Sequence, residues 1–155
     1  MIRSYRFSLL YILSIVLVNI GFVYVPLWPI GGEMFPPMSI IVGLVFILRD
    51  YSQREVGHGV LAAMGVGAAL SYVMADPYVA FASLVAFLIS ELVDWSVYTF
   101  TGRPLAQRIL ISSAISTPID SAVFLGMIGH FSVLGFALMT CAKMLAALAI
   151  WWRLR

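Results

Sequence analysis

The sequence has little charge for its length. Only 10% of the 155 residues are Asp, Glu, Lys or Arg, whereas 63% are hydrophobic, and the mean hydropathy is +1.04. An average soluble domain is about 45–50% apolar and about 25% charged, and a small soluble fold has too much surface to hide such an excess. The shortage of charge therefore excludes an ordinary soluble domain and a disordered chain. It indicates a protein of the lipid bilayer.

Cysteine and the usual catalytic motifs are also scarce. The single cysteine, Cys141, excludes a disulfide scaffold. Nine basic against seven acidic residues give a net charge of +2, which is too small for the basic surface of a nucleic-acid-binding protein. The sequence has no His-Glu-x-x-His zinc motif, no Gly-x-Ser-x-Gly turn and no Walker loop. We therefore predict a protein that is not an enzyme, with no catalytic residue, metal, cofactor or nucleic-acid partner.

Six apolar runs fill most of the chain. They cover residues 7–28, 35–48, 60–75, 78–100, 109–129 and 131–152. Because a spanning helix needs about 20 residues, we predict an all-α, polytopic membrane protein with six transmembrane helices in a single domain, residues 1–155. The second run is short and stops at Arg49, so that either Arg49 reaches out to the interface of a thinned bilayer or this helix is irregular.

The basic residues predict an orientation. Eight of the nine fall on one side of a six-span arrangement. They are Arg3, Arg6, Arg49, Arg54, Arg103, Arg108, Arg153 and Arg155. The opposite loops, around Glu33, Asp76 and His130, have no Lys or Arg. Because Lys and Arg accumulate in cytoplasmic loops, both termini are predicted to be cytoplasmic.

A few ionisable or polar residues lie at membrane depth. They are Asn19 on the first helix, Glu91 and Asp94 on the fourth, Asp120 on the fifth and Lys143 on the sixth. A charge at the centre of a span costs about 2.5–3.5 kcal/mol. These side chains are therefore predicted to face inward and to meet partners.

Helical spacing groups these residues with further polar and aromatic ones. The shared faces are Glu91, Asp94, Trp95 and Tyr98 on the fourth helix, and Ser113, Ser116, Thr117 and Asp120 on the fifth. Two interpretations remain open. In one, Lys143 pairs with Asp120 and the rest holds the helices together. In the other, the polar faces form a path for a ligand or for protons, and Trp95 is a stacking platform. Asn19 fits an interhelical hydrogen bond as well as a ligand contact.

Four segments resemble the motifs of a known transporter family. They are residues 46–57 (FILRDYSQREVG), 89–98 (ISELVDWSVY), 112–124 (SSAISTPIDSAVF) and 141–145 (CAKML). In order and in helix position they resemble the vitamin uptake transporter family, also called queuosine precursor transporters. Asp94, Asp120 and Lys143 fall on the family's two aspartates and lysine. The resemblance implies an inner-membrane importer of 7-cyano- or 7-aminomethyl-7-deazaguanine, with a fold similar to the substrate-binding subunits of energy-coupling-factor transporters.

The implied substrate suggests roles for the site residues. A carboxylate can accept both N–H groups of a guanine-like edge, which suits Glu91, Asp94 and Asp120. Lys143 or a hydroxyl of Ser116 or Thr117 can serve the ring oxygen. Trp95 and Tyr98 can stack on the flat base, and Asn19 completes the predicted site.

Several alternatives remain open at this stage. Arg49 and Asp50 form either a cytoplasmic gate or the cap of the second helix. The chain is an importer, a binding subunit that needs an ATPase module, or a membrane assembly protein that transports nothing. The predicted partners are the bilayer and a small deazapurine base, and a homo-oligomer is left open.

Overall fold

The computed structural model describes residues 5–154, without the side chain of Tyr78. Within that part of the chain, six α-helices follow one another and a short antiparallel hairpin separates the first two. The elements are α1 (Arg6–Tyr24), β1 (Trp28–Ile30), β2 (Glu33–Phe35), α2 (Ser39–Val56), α3 (Val60–Met74), α4 (Pro77–Phe100), α5 (Leu105–Met127) and α6 (Val133–Leu154). The architecture is all-α apart from this hairpin, as the composition predicts.

Five helical segments of the described chain are long and apolar enough to cross a membrane, where the sequence predicted six. The difference arises in Ser39–Met74, where α2 and α3 are joined only by the 3₁₀ turn Gly57–Gly59 and count as one segment of 36 residues. Large apolar side chains such as Leu9, Leu17 and Phe81 are exposed on the outer faces, as lipid contact requires. The chain is a multi-pass membrane protein with five candidate spans.

Helix α2 contacts all five other helices. Neighbouring helices pack in the order α1, α3, α4, α5 and α6, while α2 lies between α6 and α1 and also contacts α3, α4 and α5. The inner face of α2 is fully buried at Ser39, Arg49, Asp50 and Ser52, whereas its outer face is exposed, for example at Leu44. Polar groups in such a position need partners from other helices.

The two ends of the helix bundle differ. The hairpin end contains β1 and β2, the α3–α4 connection at Asp76 and the α5–α6 connection at His130, and β2 and both connections border one cavity. The terminal end contains the start of α1 and the Gly57–Gly59 turn. There the Glu55 carboxylate accepts hydrogen bonds from the backbone N–H groups of Arg6 and Phe7, at 3.1 and 3.0 Å. Glu55 thus caps α1 and fixes it to the end of α2.

Several predicted helix boundaries were wrong. The second helix begins at Ser39 instead of Phe35 and continues to Val56, so that Arg49 and Asp50 lie inside it. Residue Phe35 belongs to β2, and β1 turns into β2 through Gly31 and Gly32, whose φ angles of 59° and 90° suit a tight hairpin.

Two further boundaries follow from proline. The first helix ends at Tyr24, four residues early, because Pro26 restricts Val25 to the extended conformation. The fifth begins at Leu105, directly after Pro104, and therefore includes Arg108. Arg108 and Arg54 consequently lie in helices instead of loops. Arg3 and Arg155 lie outside the described residues.

Gly43 is the point of closest approach between α2 and α6. A Cβ atom there would collide with the backbone carbonyl of Lys143. We expect Gly43→Ala to lower the free energy of unfolding by about 1–3 kcal/mol, since the two backbones must separate. Gly65→Ala on α3 is the matched control, because nothing lies within 4 Å of that site. It should leave thermal unfolding in detergent unchanged or slightly raise the midpoint, and equal losses in both variants would contradict this packing.

Candidate functional site

A buried ion cluster lies at the centre of the helix bundle. We call Arg49 and Asp50 of α2, with Glu91 and Asp94 of α4, the Arg49 cluster. The guanidinium contacts all three carboxylates: Nη2 lies 3.0 Å from Asp50 Oδ1, Nε lies 3.3 Å from Glu91 Oε2, and Nη2 also contacts Asp94 Oδ2. All four side chains are at most 1% exposed. Arg49 therefore does not reach out to the interface, as one sequence interpretation required.

The cluster depends on where α2 ends. Because α2 continues for seven residues beyond Arg49, to Val56, Arg49 lies inside the helix and at the same depth as Glu91 and Asp94 of α4. A second layer of hydrogen bonds supports it: Arg49 Nη1 donates to Gln53 Oε1 at 2.6 Å. Ser112 and Ser116 of α5 donate to Asp50 and Asp94, at 3.2 and 3.3 Å. Three carboxylates still face one guanidinium, so the cluster carries an excess of acidic groups.

A second, partly buried ion pair joins α5 to α6. Lys143 Nζ donates to Asp120 Oδ2 at 2.6 Å and to the Ser121 hydroxyl at 2.9 Å. The hydroxyl of Ser90 on α4 donates to Asp120 Oδ1 at 3.0 Å. The contact between Lys143 and Asp120 that the sequence suggested is present. Each oxygen of Asp120 has one protein donor, which leaves lone pairs for a ligand.

A cavity of about 860 Å³ leads from the hairpin end to this pair. Exposed residues such as Val23, Leu27 and His130 lie at its mouth, whereas Lys143, only 2% exposed, lies at its floor. Its polar lining consists of Asn19, Glu33, Ser39, Ser71, Asp76, Ser83, Asp120, His130 and Lys143. Its volume is within the usual range for small-molecule sites, about 300–1,000 Å³.

Only some predicted site residues line this cavity. Asn19, Asp120 and Lys143 do, and the Asn19 amide also donates to the carbonyl of Ile15 at 2.9 Å, within its own helix. The others lie closer to the terminal end, away from the lining: Glu91, Asp94, Trp95, Tyr98, Ser116, Thr117, Arg49 and Asp50. The predicted residues therefore divide between a cavity floor and a deeper cluster.

The two predicted stacking residues already have protein partners. The Trp95 ring contacts His58 edge-on, with the centroids 5.6 Å apart. The guanidinium of Arg108 lies 4.0 Å from the centroid of the Tyr98 ring. Four phenylalanines line the cavity instead: Phe22, Phe35, Phe87 and Phe124. Sequence reasoning missed them, although Phe124 follows Asp120 and Phe87 precedes Glu91 by one helical turn, which places each on a predicted polar face.

Ser39 was also missed. It is the first residue of α2, is fully buried and lines the cavity, and no hydrogen-bond partner of its hydroxyl lies within residues 5–154 as described. Buried polar groups normally have partners, so this hydroxyl is available to a bound molecule. No charge or motif marks Ser39 in the sequence.

The polar face of α5 connects the two sites. It begins at Asp120 on the cavity floor, and Ser116 and Ser112 then reach the Arg49 cluster. The distance from Asp120 to Ser112 is about 12 Å along the helix. Ser113 and Thr117 lie between them, buried and with hydroxyls that have no hydrogen-bond partner. The helix thus provides a continuous row of hydroxyls between the cavity and the cluster.

Comparison with known families places these sites in a transporter. The family model described as "Putative vitamin uptake transporter" matches residues 7–153, nearly the whole chain. Neither the comparison with curated proteins nor that with solved structures gave a match. The matched range contains the cavity lining, the Arg49 cluster and every helix except the first residue of α1 and the last residue of α6. The chain therefore belongs to the vitamin uptake transporter family.

Proposed function

We propose that this protein imports a queuosine precursor base, 7-cyano- or 7-aminomethyl-7-deazaguanine, across the bacterial inner membrane. The observation that carries the proposal is the cavity, which is open at the hairpin end and has the Asp120–Lys143 pair at its floor. A flat, polar base needs such a combination of apolar walls and a few placed hydrogen-bonding groups.

The proposed topology has six crossings, with α2 and α3 as separate spans. The start of α2 and the end of α3 border the same cavity at the hairpin end. Val56 and Gly59 instead lie beside Tyr5 at the terminal end. In this topology α2 runs from the hairpin end to the terminal end and α3 runs back, within a single six-helix domain.

The terminal end is proposed to be cytoplasmic, together with both chain termini. The described arginines in or next to the first or last turn of a helix all lie there: Arg6, Arg54, Arg103, Arg108 and Arg153. The connections at the hairpin end have no Lys or Arg. In this orientation the cavity faces outward and receives substrate from outside the cell.

Base recognition is assigned to the cavity floor. The free lone pairs of Asp120 accept the ring N–H and the exocyclic amine of the deazaguanine. Lys143 has three N–H donors and uses two within the protein, so the third serves the ring oxygen. Phe87 and Phe124 supply aromatic faces to the flat ring system.

The Arg49 cluster is assigned the role of the inner gate. It closes the path between the cavity floor and the terminal end, because its ion pairs tie α2 to α4. Release of the base requires these pairs to separate. The row of hydroxyls on α5, from Thr117 to Ser112, then offers the base and the freed carboxylates alternative partners.

An uptake assay tests this function. The chain is expressed in cells that lack precursor synthesis, their own importer and any energy-coupling ATPase module. External precursor should then restore queuosine in tRNA, because the chain needs no ATPase partner. If the intact protein is present in the membrane and restores nothing, the proposed function is wrong. Rescue only after an ATPase module is supplied would identify a binding subunit instead.

A further inference from the structure

The charges that line the cavity are unbalanced. Within the described residues, the lining contains three carboxylates, those of Glu33, Asp76 and Asp120, against one lysine, Lys143, and one histidine, His130. Lys143 and Asp120 neutralise each other at the floor. Glu33 and Asp76 line the cavity nearer its mouth, where β2 and the α3–α4 connection bring them, and no Lys or Arg among the described residues lines that part. The outer part of the cavity is therefore acidic.

The same cavity also contains a buried hydroxyl group, that of Ser39, whose hydrogen-bonding capacity is not used within the part of the chain that the structure describes. The Ser39 hydroxyl lines the same cavity, is fully buried and has no hydrogen-bond partner among the described residues. Carboxylates alone can serve solubility, and Asp76 also precedes the first residue of α4. A buried hydroxyl without a partner in the same cavity points instead to a polar ligand between the mouth and the floor.

We propose that this cavity selects a cationic substrate, and that Glu33 and Asp76 determine the selection. The inference rests on the proposed function and concerns the choice between its two precursors. The aminomethyl form has a primary aliphatic amine, which is protonated at neutral pH, whereas the nitrile is neutral. Its amine lies on the five-membered ring, away from the exocyclic amine that binds the floor. Carboxylates in a cleft with apolar walls concentrate a cation and accelerate its entry.

Initial uptake rates of the two precursors, measured in competition, test the selection. The intact protein should favour the aminomethyl form by about tenfold at low salt, and high salt should reduce the ratio. In a Glu33→Gln, Asp76→Asn double variant the ratio should approach one, through slower uptake of the cation and unchanged uptake of the nitrile. Asparagine at residue 76 keeps the ability to cap a helix.

Glu55→Gln is the matched control. It removes the same type of charge at the terminal end, outside the cavity lining, and should leave the ratio as in the intact protein. Equal uptake of both precursors by the intact protein, or an equal loss of both in the double variant, would overturn the selection but not the import function. Uptake of neither precursor by the intact protein would overturn both.

Discussion

Replacing Arg49 with glutamine is expected to lower the free energy of unfolding by about 3–5 kcal/mol, the largest effect on stability of any substitution considered. The guanidinium contacts three buried carboxylates from two helices. Its removal leaves those acids without a cation in a region that excludes water. An uncompensated buried charge destabilises the folded state strongly. Unfolding of purified protein in mixed micelles with increasing SDS measures the change.

Two further variants separate charge from packing. Arg54→Gln is the matched control, because Arg54 lies on the same helix but is exposed, and it should change the unfolding free energy by less than about 0.5 kcal/mol. Adding Glu91→Gln and Asp94→Asn to Arg49→Gln should recover part of the lost stability, since fewer charges then remain unpaired. A triple variant less stable than Arg49→Gln would show that the ion pairs are not the cause.

Replacing Asp120 with asparagine or Lys143 with methionine is expected to abolish detectable uptake. Loss of one member of a hydrogen-bonded charge pair at the proposed recognition site costs about 2–5 kcal/mol, which is about 30- to 4,000-fold in affinity. The same substitutions also remove the link between α5 and α6, so stability must be measured with uptake. Binding of the precursor to protein purified in detergent gives the affinity directly.

A charge swap separates recognition from a purely structural role. Asp120→Lys with Lys143→Asp keeps an ion pair between the two helices but exchanges donor and acceptor at the cavity floor. Stability should return toward that of the intact protein, whereas binding should not. Cys141→Ala is the control on α6, because that side chain is exposed. If the swapped protein takes up the precursor normally, the pair is structural and the proposed recognition at the floor is wrong.

Local sequence pattern predicted much of this architecture. The apolar runs located all six helices, and helical spacing placed Ser116, Thr117 and Asp120 of α5 on one inward face, as the burial of the first two and the Lys143 contact of the third confirm. The cost of a lone charge in lipid required a partner for Lys143, and Asp120 is that partner. These inferences succeeded because each depends on periodicity or desolvation within one or two helices.

The depth of Arg49 could not be predicted in the same way. Followed by Asp50, it has the pattern of a helix end at the membrane surface, and the sequence left open whether Arg49 reaches the interface or lies in an irregular helix. Its actual position depends on the packing of α2 against the other five helices, and three carboxylates compensate the cost of its burial once the chain has folded. One of those carboxylates, Asp50, is on α2 itself, and the two from α4 are more than forty residues away.

The sequence by itself determined that this is a multi-pass membrane protein, where its helices lie, and that Asp120, Lys143, Glu91 and Asp94 face inward. The tertiary structure decided which of them meet. It joined Glu91 and Asp94 to Arg49, and it left Asp120 and Lys143 at the floor of a cavity lined by Ser39 and phenylalanines. The physical reason is that spacing along a helix fixes the direction of a side chain. The relative depth and the neighbours of six packed helices are instead set by contacts between residues far apart in the chain.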